Sequence, residues 1–423
     1  MKIFGVLYIM FNKNFVFIFG GISLFKNLPV EVRKYIYFSL IGGFSFTAII
    51  SIPSISSLME ISIENIGWIF SISYVVQAFM SYLIGRRFED RSPNYALAIA
   101  KLLFSFGTLL LAIWTNLATL VIAQLMISFN DIFYPSLVMY ERAIIPPRRR
   151  EEVYSILFVM SEFVKSVIYF LISFLLAPLF GGIAFYRVLL LVIGISNIIL
   201  AVSFLKMLPI VNKGKDLHKE HINVPVSFKV FMSLMIHQYL MFVAFNFASF
   251  MVISYYLFNV FKLGPASPIL FEATFSITIV LFWPFKKRIK TNVTANFVTG
   301  SILLSIGFLM FSIPNMYTFF LAQVPCGIGF IFWFASKETI KMNIAPQELG
   351  RWEGFFQGLT IFTKIFIPVA TAYMVSFLSY SSVFITASIV SAVASVFGIV
   401  ISKFYNIGIK KIELKQKPIA PHR

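Results

Sequence analysis

Apolar runs of about twenty residues recur along this chain, each long enough to cross roughly 30 Å of hydrocarbon as a helix. Backbone amides cannot stay unpaired inside lipid, so such a chain has only two spanning solutions, helices or a closed barrel. The runs are continuous rather than alternating, which selects helices. Composition agrees, since 59% of the residues are hydrophobic and 12% charged. Soluble domains are roughly 45–50% apolar and 25% charged. The runs lie near 35–56, 65–84, 94–114, 117–140, 153–178 and 186–206, then near 229–258, 267–285, 296–313, 316–340, 352–375 and 381–403. The expected fold class is all-α and polytopic, with about twelve transmembrane helices.

Polar segments divide the runs. Residues 1–30 form an apolar segment broken by Asn12, Lys13 and Asn14, where a central lysine makes spanning costly; an interfacial segment or a start assigned too early is expected, with a thirteenth span as the minority reading. Residues 31–207 hold the first six runs, 208–228 a polar cytoplasmic linker, 229–403 the second six and 404–423 a basic tail.

The formal charge of +18 does not mark a nucleic-acid partner. With Arg187 and Lys262 in far-side loops and Lys101, Lys165 and Lys364 inside apolar runs, thirty of the 35 basic residues gather on one side. That asymmetry implies a multi-pass protein of the cytoplasmic membrane with both termini in the cytoplasm. Lys410, Lys411, Lys415 and Lys417 of the tail are suited to anionic headgroups of the bilayer. The single Cys326 lies in an apolar run, so neither a disulfide framework nor a metal or other cofactor is expected. HExxH, GxSxG, P-loop and strand-linked GxGxxG patterns are absent, which argues against an enzyme or a nucleotide-driven pump.

The two sets of six runs are similar to each other. Asn116 and Asn315, Gln124 and Gln323, Pro147 and Pro346, and Lys165 and Lys364 are each 199 residues apart, and Gly107 and Gly307 are 200 apart. Repeated halves of this kind characterise one transporter architecture.

At this point the chain resembles the major facilitator superfamily over roughly residues 27–403. The loop GRRFEDRSPN is similar to that family's Gly-x-x-x-Asp-Arg-x-Gly-Arg-Arg, although Asp90 replaces a basic residue and Ser92 the second glycine. PPRRREE and PQELGRWEG resemble its connectors after the fourth and tenth helices, and APLFGG keeps only the tail of its antiporter motif. The resemblance implies two pseudosymmetric six-helix halves closing alternately around a central cavity, and secondary active transport of a small solute. It also implies a cytoplasmic gate containing Gly85, Glu89, Arg91, Gly350 and Arg351.

Ionisable residues deep in lipid are costly and therefore face protein or water. Lys165 lies thirteen residues beyond Glu152, and Lys364 thirteen beyond Arg351. Helical rise puts both roughly 20 Å from the edge, too deep to snorkel. Each sits on a polar stripe: Ser155, Glu162, Ser166, Tyr169 and Ser173 accompany Lys165, while Glu353, Gln357, Thr360 and Thr371 accompany Lys364. The substrate-binding candidates are Lys165 and Lys364 for a carboxylate or phosphate, with Gln124, Gln323, Gln357 and His237. The proton-coupling candidates are Glu162, Asp131 and Glu272, with Glu162 favoured because its protonation would free Lys165.

Bland readings stand beside these. Lys165 could be neutralised by Glu162, three residues away, or by Asp131. His237 could be a hydrogen-bonded packing residue, and Lys101 could reach the headgroups and carry no role. The expected partners are a small-molecule substrate, H+ and the bilayer. A carrier of an organic anion is the leading functional reading. An exporter of hydrophobic compounds and a non-transporting sensor on a transporter body remain as alternatives.

Overall fold

Every apolar run becomes a helix. The computed structural model describes residues 28–88, 92–211, 228–289, 292–344 and 349–416. The first half comprises α1 (Val30–Leu58), α2 (Ile63–Phe88), α3 (Pro93–Ile113), α4 (Leu117–Phe133 and Ser136–Ile144), α5 (Glu152–Leu176) and α6 (Gly182–Lys206). The second comprises α7 (Lys229–Asn259), α8 (Ser267–Arg288), α9 (Val293–Phe311), α10 (Met316–Lys341), α11 (Leu349–Phe377) and α12 (Tyr380–Gln416). Among the described residues ten helices are long and apolar enough to cross a membrane, or eleven with the bent pair of α4 as one span. The remaining helix, α2, is 26 residues long and carries Glu64, Asn65 and Gln77.

In the first half α3 packs between α4 and α6; in the second, α9 packs between α10 and α12. The halves meet along two seams, α2 against α11 and α5 against α8, which are the same contact repeated by pseudosymmetry. The matched residues explain themselves locally. Asn116 caps α4 by accepting from Thr119 N at 2.9 Å, and Asn315 caps α10 by accepting from Tyr317 N at 2.9 Å. Gly107 lets α3 close on α4, where a Cβ would meet that of Met126 at 2.9 Å. Gly307 does the same for α9 on α10, where a Cβ would lie 2.2 Å from the Cys326 sulfur.

Among the described residues α5 ends in a π turn at Ile172–Leu176, α10 is interrupted at Ala322, and α1, α4 and α7 break part-way. α1 tightens to a 3₁₀ turn at Phe44–Phe46, α4 does so at Phe129–Phe133 and bends by 43°, and α7 is interrupted between Phe247 and Phe250. Irregular backbone at this depth survives because protein covers it, and Phe44, Phe129 and Phe133 are buried. The helix that begins as the last apolar run continues to Gln416, past the end expected near residue 403, so the first part of the basic tail is helical. Residues 1–27, most of the linker (212–227) and the last residues of the tail (417–423) lie outside the described residues.

Candidate functional site

Two charged clusters bridge the seams. The first is built on the polar stripe of α5, where Glu162, Lys165, Ser166, Tyr169 and Ser173 are all buried. The Lys165 ammonium lies 2.5 Å from Glu162 Oε1 on its own helix and 3.3 Å from Glu272 Oε1 on α8. One turn along α8, the Ser276 hydroxyl donates to Glu162 Oε2 at 2.6 Å. Phe46, at the break in α1, places its ring 4.8 Å from the ammonium. Thr47 donates to the Tyr169 hydroxyl at 3.0 Å, closing the cluster against α1. One lysine facing two carboxylates leaves a formal charge of −1.

The second cluster is the counterpart on α11. Lys364 pairs with Asp131, which stands in the 3₁₀ turn of α4. Two aromatic faces flank its ammonium, Tyr74 of α2 at 5.2 Å and Phe242 of α7 at 5.3 Å. Gln124 is buried on α4, and Tyr239 shares a hydrogen bond of 2.7 Å with Thr363. The Asp131 side chain is 36% exposed and that of Lys364 15%. Lys101 of α3 donates to Asn130 Oδ1, beside Asp131, at 3.1 Å. Two lysines around one carboxylate leave a formal charge of +1.

The partnerships differ from those the helical spacing suggests. Asp131, a prospective neighbour of Lys165, belongs to Lys364, and Glu272 takes its place at Lys165. Spacing along one helix reveals only same-helix pairs such as Glu162 with Lys165; partners supplied by the other half depend on how the seams close.

The family model for the Major Facilitator Superfamily matches residues 35–295, more than half of the chain. The chain belongs to the Major Facilitator Superfamily. Solved structures share the fold at low identity. The human organic anion transporter MFSD10 (TETRAN) has a TM-score of 0.62 at 12% identity, covering 88% of this chain and 100% of that one. A POT family transporter in complex with 5-aminolevulinic acid has a TM-score of 0.62 at 15% identity, with 90% and 97% covered. A third, a POT family transporter in complex with a thioalcohol-conjugated peptide, has a TM-score of 0.61 at 14% identity, with 89% and 96% covered. No curated protein matches the chain in sequence.

Other candidates are distributed unevenly over this superfamily fold. His237 does not join either cluster. It is wholly buried within the second half, with Nδ1 2.7 Å from the Ala394 carbonyl and Nε2 accepting from the Trp333 indole at 3.0 Å. The carbonyl needs a proton on Nδ1 and the indole needs a bare Nε2, so both bonds together select the neutral ring. Both ring nitrogens are thus held by protein, the arrangement expected of a hydrogen-bonded packing histidine. Gln323 is also turned into its own half, donating to the Phe271 carbonyl at 3.4 Å. Gln357 lies on α11, Gly85 near the end of α2, and Gly350 and Arg351 in the first turn of α11. The side chains of Gln357 and Arg351, and the whole of Glu89 and Arg91, lie outside the described residues.

A third charged group escaped the sequence pattern. On α10, Glu338 holds Lys337 at 2.6 Å and Lys341 at 2.7 Å. The Lys341 ammonium lies 5.7 Å from the Tyr134 ring of the first half, and nearby Tyr35 donates to Glu141 Oε1 at 2.5 Å. The signal was visible as Lys337-Glu338-x-x-Lys341. It falls where the run is expected to end, so charges there read as headgroup contacts. One turn from Glu162 towards this same end, Phe158 of α5 stacks on Phe330 of α10 at 4.9 Å and lies tilted against Phe334 at 5.2 Å. At the opposite end Ser54 meets Ser254 at 3.2 Å, and Tyr255 donates to the Ile61 carbonyl at 2.7 Å. The halves therefore touch on both sides of the two lysine clusters.

Proposed function

We propose that this superfamily member is a proton-linked carrier of a small organic anion. Its halves, residues 31–207 and 229–403, alternate access around the two lysine clusters, and both termini face the cytoplasm. The observation that carries this reading is the opposite imbalance of the clusters: Lys165 faces two carboxylates, whereas Asp131 pairs with Lys364 while its neighbour Asn130 holds a second lysine, Lys101. A net charge away from water is costly, and the cost falls when a counter-charge arrives. A proton neutralises the first cluster and an anion the second. Loading both leaves neither half carrying an uncompensated charge as the seams rearrange, which is the physical basis for coupling.

As the proton site we favour Glu272 over Glu162. Glu162 is met by Lys165 at 2.5 Å and by the Ser276 hydroxyl at 2.6 Å, whereas among the described residues Glu272 is met by Lys165 alone, at 3.3 Å. The less supported carboxylate is the one that takes a proton. At the second cluster a substrate carboxylate competes with Asp131 for Lys364, entering by the side that protein leaves open. The descriptions of two similar structures name an organic anion and 5-aminolevulinic acid, which is the same acid chemistry, although at 12% and 15% identity the likeness is one of fold.

The test is uptake of labelled lactate, succinate and citrate into liposomes containing the purified chain, with and without an imposed pH gradient. The expected result is saturable uptake of one of them, accelerated when the interior is alkaline and abolished by Lys364→Ala. Saturable uptake only of neutral or cationic solutes, indifferent to Lys364→Ala, overturns the proposal.

A further inference from the structure

Lys101 belongs to a helix of the outer layer, eight residues in from Pro93, where a lysine can extend along the helix to the headgroups. The structure turns it the other way. Its ammonium passes 5.9 Å from the Phe104 ring and donates to Asn130 Oδ1 at 3.1 Å. Asn130 and Asp131 are consecutive residues of one 3₁₀ turn. That turn offers two oxygen acceptors side by side, the amide taken by Lys101 and the carboxylate by Lys364. Lys101 also breaks the internal repeat. At the 200-residue offset that relates Gly107 to Gly307 on these two helices, the counterpart is Ser301, a buried hydroxyl that donates to the Phe297 carbonyl at 2.9 Å. The extra lysine is a property of the Asp131 cluster alone.

A substrate carboxylate that engages Lys364 must draw it from Asp131, and an abandoned carboxylate at this depth strongly opposes the exchange. The remedy is one residue away. We infer that Lys101 is a positioning residue that takes over Asp131 when a substrate carboxylate draws Lys364 away. Its ammonium shifts from the Asn130 amide oxygen to the adjacent carboxylate, and Lys364 gains the freedom to bind. The inference rests on the anion-carrier reading above and assigns to Lys101 a role that no contact with substrate requires.

The experiment uses the full chain in liposomes, with labelled lactate, succinate and citrate as probes. Lys101→Gln keeps a donor for Asn130 and removes the charge. It is expected to raise KM at least about tenfold, the loss of one charge-assisted hydrogen bond, with the maximal rate little altered. Lys101→Arg is expected to stay near the wild-type KM. Asp131→Asn in the Lys101→Gln background is expected to restore a low KM, because no charge is then abandoned. An unchanged KM in Lys101→Gln overturns the inference, as does a defect that Asp131→Asn fails to relieve or that Lys101→Arg shares. If Lys101→Gln does not fold, wild-type KM and full stability in the double variant still support the inference, and misfolding of both overturns it. If the wild-type chain takes up none of the three probes saturably, the anion-carrier reading fails and this inference falls with it.

Discussion

Lys165 and Lys364 stand 199 residues apart at the same depth of pseudosymmetric helices, yet their surroundings differ in almost every respect. Lys165 is enclosed by Glu162, Glu272 and the ring of Phe46, with its side chain 6% exposed. Among the described residues Lys364 meets a single carboxylate, and that carboxylate is about one-third open. The repeat thus preserved backbone, register and a cation while the partners diverged. A closed cluster with surplus carboxylate suits a proton, the smallest cation; an open cluster with surplus lysine suits an anion that must enter and leave.

The largest effect expected from this contrast is on stability. Lys165→Ala leaves two carboxylates facing each other away from water and should cost about 3–5 kcal/mol. Lys364→Ala leaves Asp131 partly open, with Lys101 nearby, and should cost no more than about 1 kcal/mol. Thermal unfolding of the two variants in detergent reads the difference, and equal losses would break the comparison. A smaller effect, on coupling alone, is expected from Glu272→Gln. It should fold normally and keep exchange of labelled substrate across the liposome membrane, yet lose the acceleration by a pH gradient. A gradient response that survives in this variant moves the proton site elsewhere. The smallest effect is Ser276→Ala, which removes the hydroxyl donated to Glu162 and should cost about 1 kcal/mol in the same unfolding measurement. No loss would mean that Glu162 and Glu272 are equally supported, removing the reason to prefer Glu272.

How far the site could be read from sequence varied with the kind of contact involved. The i, i+3 pair of Glu162 and Lys165 was legible because helical geometry alone brings such residues together. Glu272 and Asp131 were legible as carboxylates in apolar runs, but which lysine each would meet was not. The break in α4 is decisive there, since it places Asp131 on the α11 seam. For His237 the sequence left binding and packing both open, and its contacts with the Trp333 indole and the Ala394 carbonyl come from other helices that no spacing reveals. Tyr74 and Phe242 could not have been singled out among 18 tyrosines and 51 phenylalanines.

What the sequence determined by itself follows from periodicity and solvent. Runs of apolar residues must be helices in lipid, and their number, their division by a polar linker and their repetition set the architecture. The repeated Asn116 and Asn315, and Gly107 and Gly307, also act within one helix end or one helix pair, so short-range rules suffice to interpret them. Tertiary structure alone decided the charges. Lys364 and Asp131 are 233 residues apart and Lys165 and Glu272 107 apart, and each pair spans a seam between halves. Such contacts depend on how rigid bodies dock, and no spacing along the chain encodes that docking. The turning of Lys101 from the headgroups towards Asn130 is of the same kind, set by the position of the α4 break beside α3.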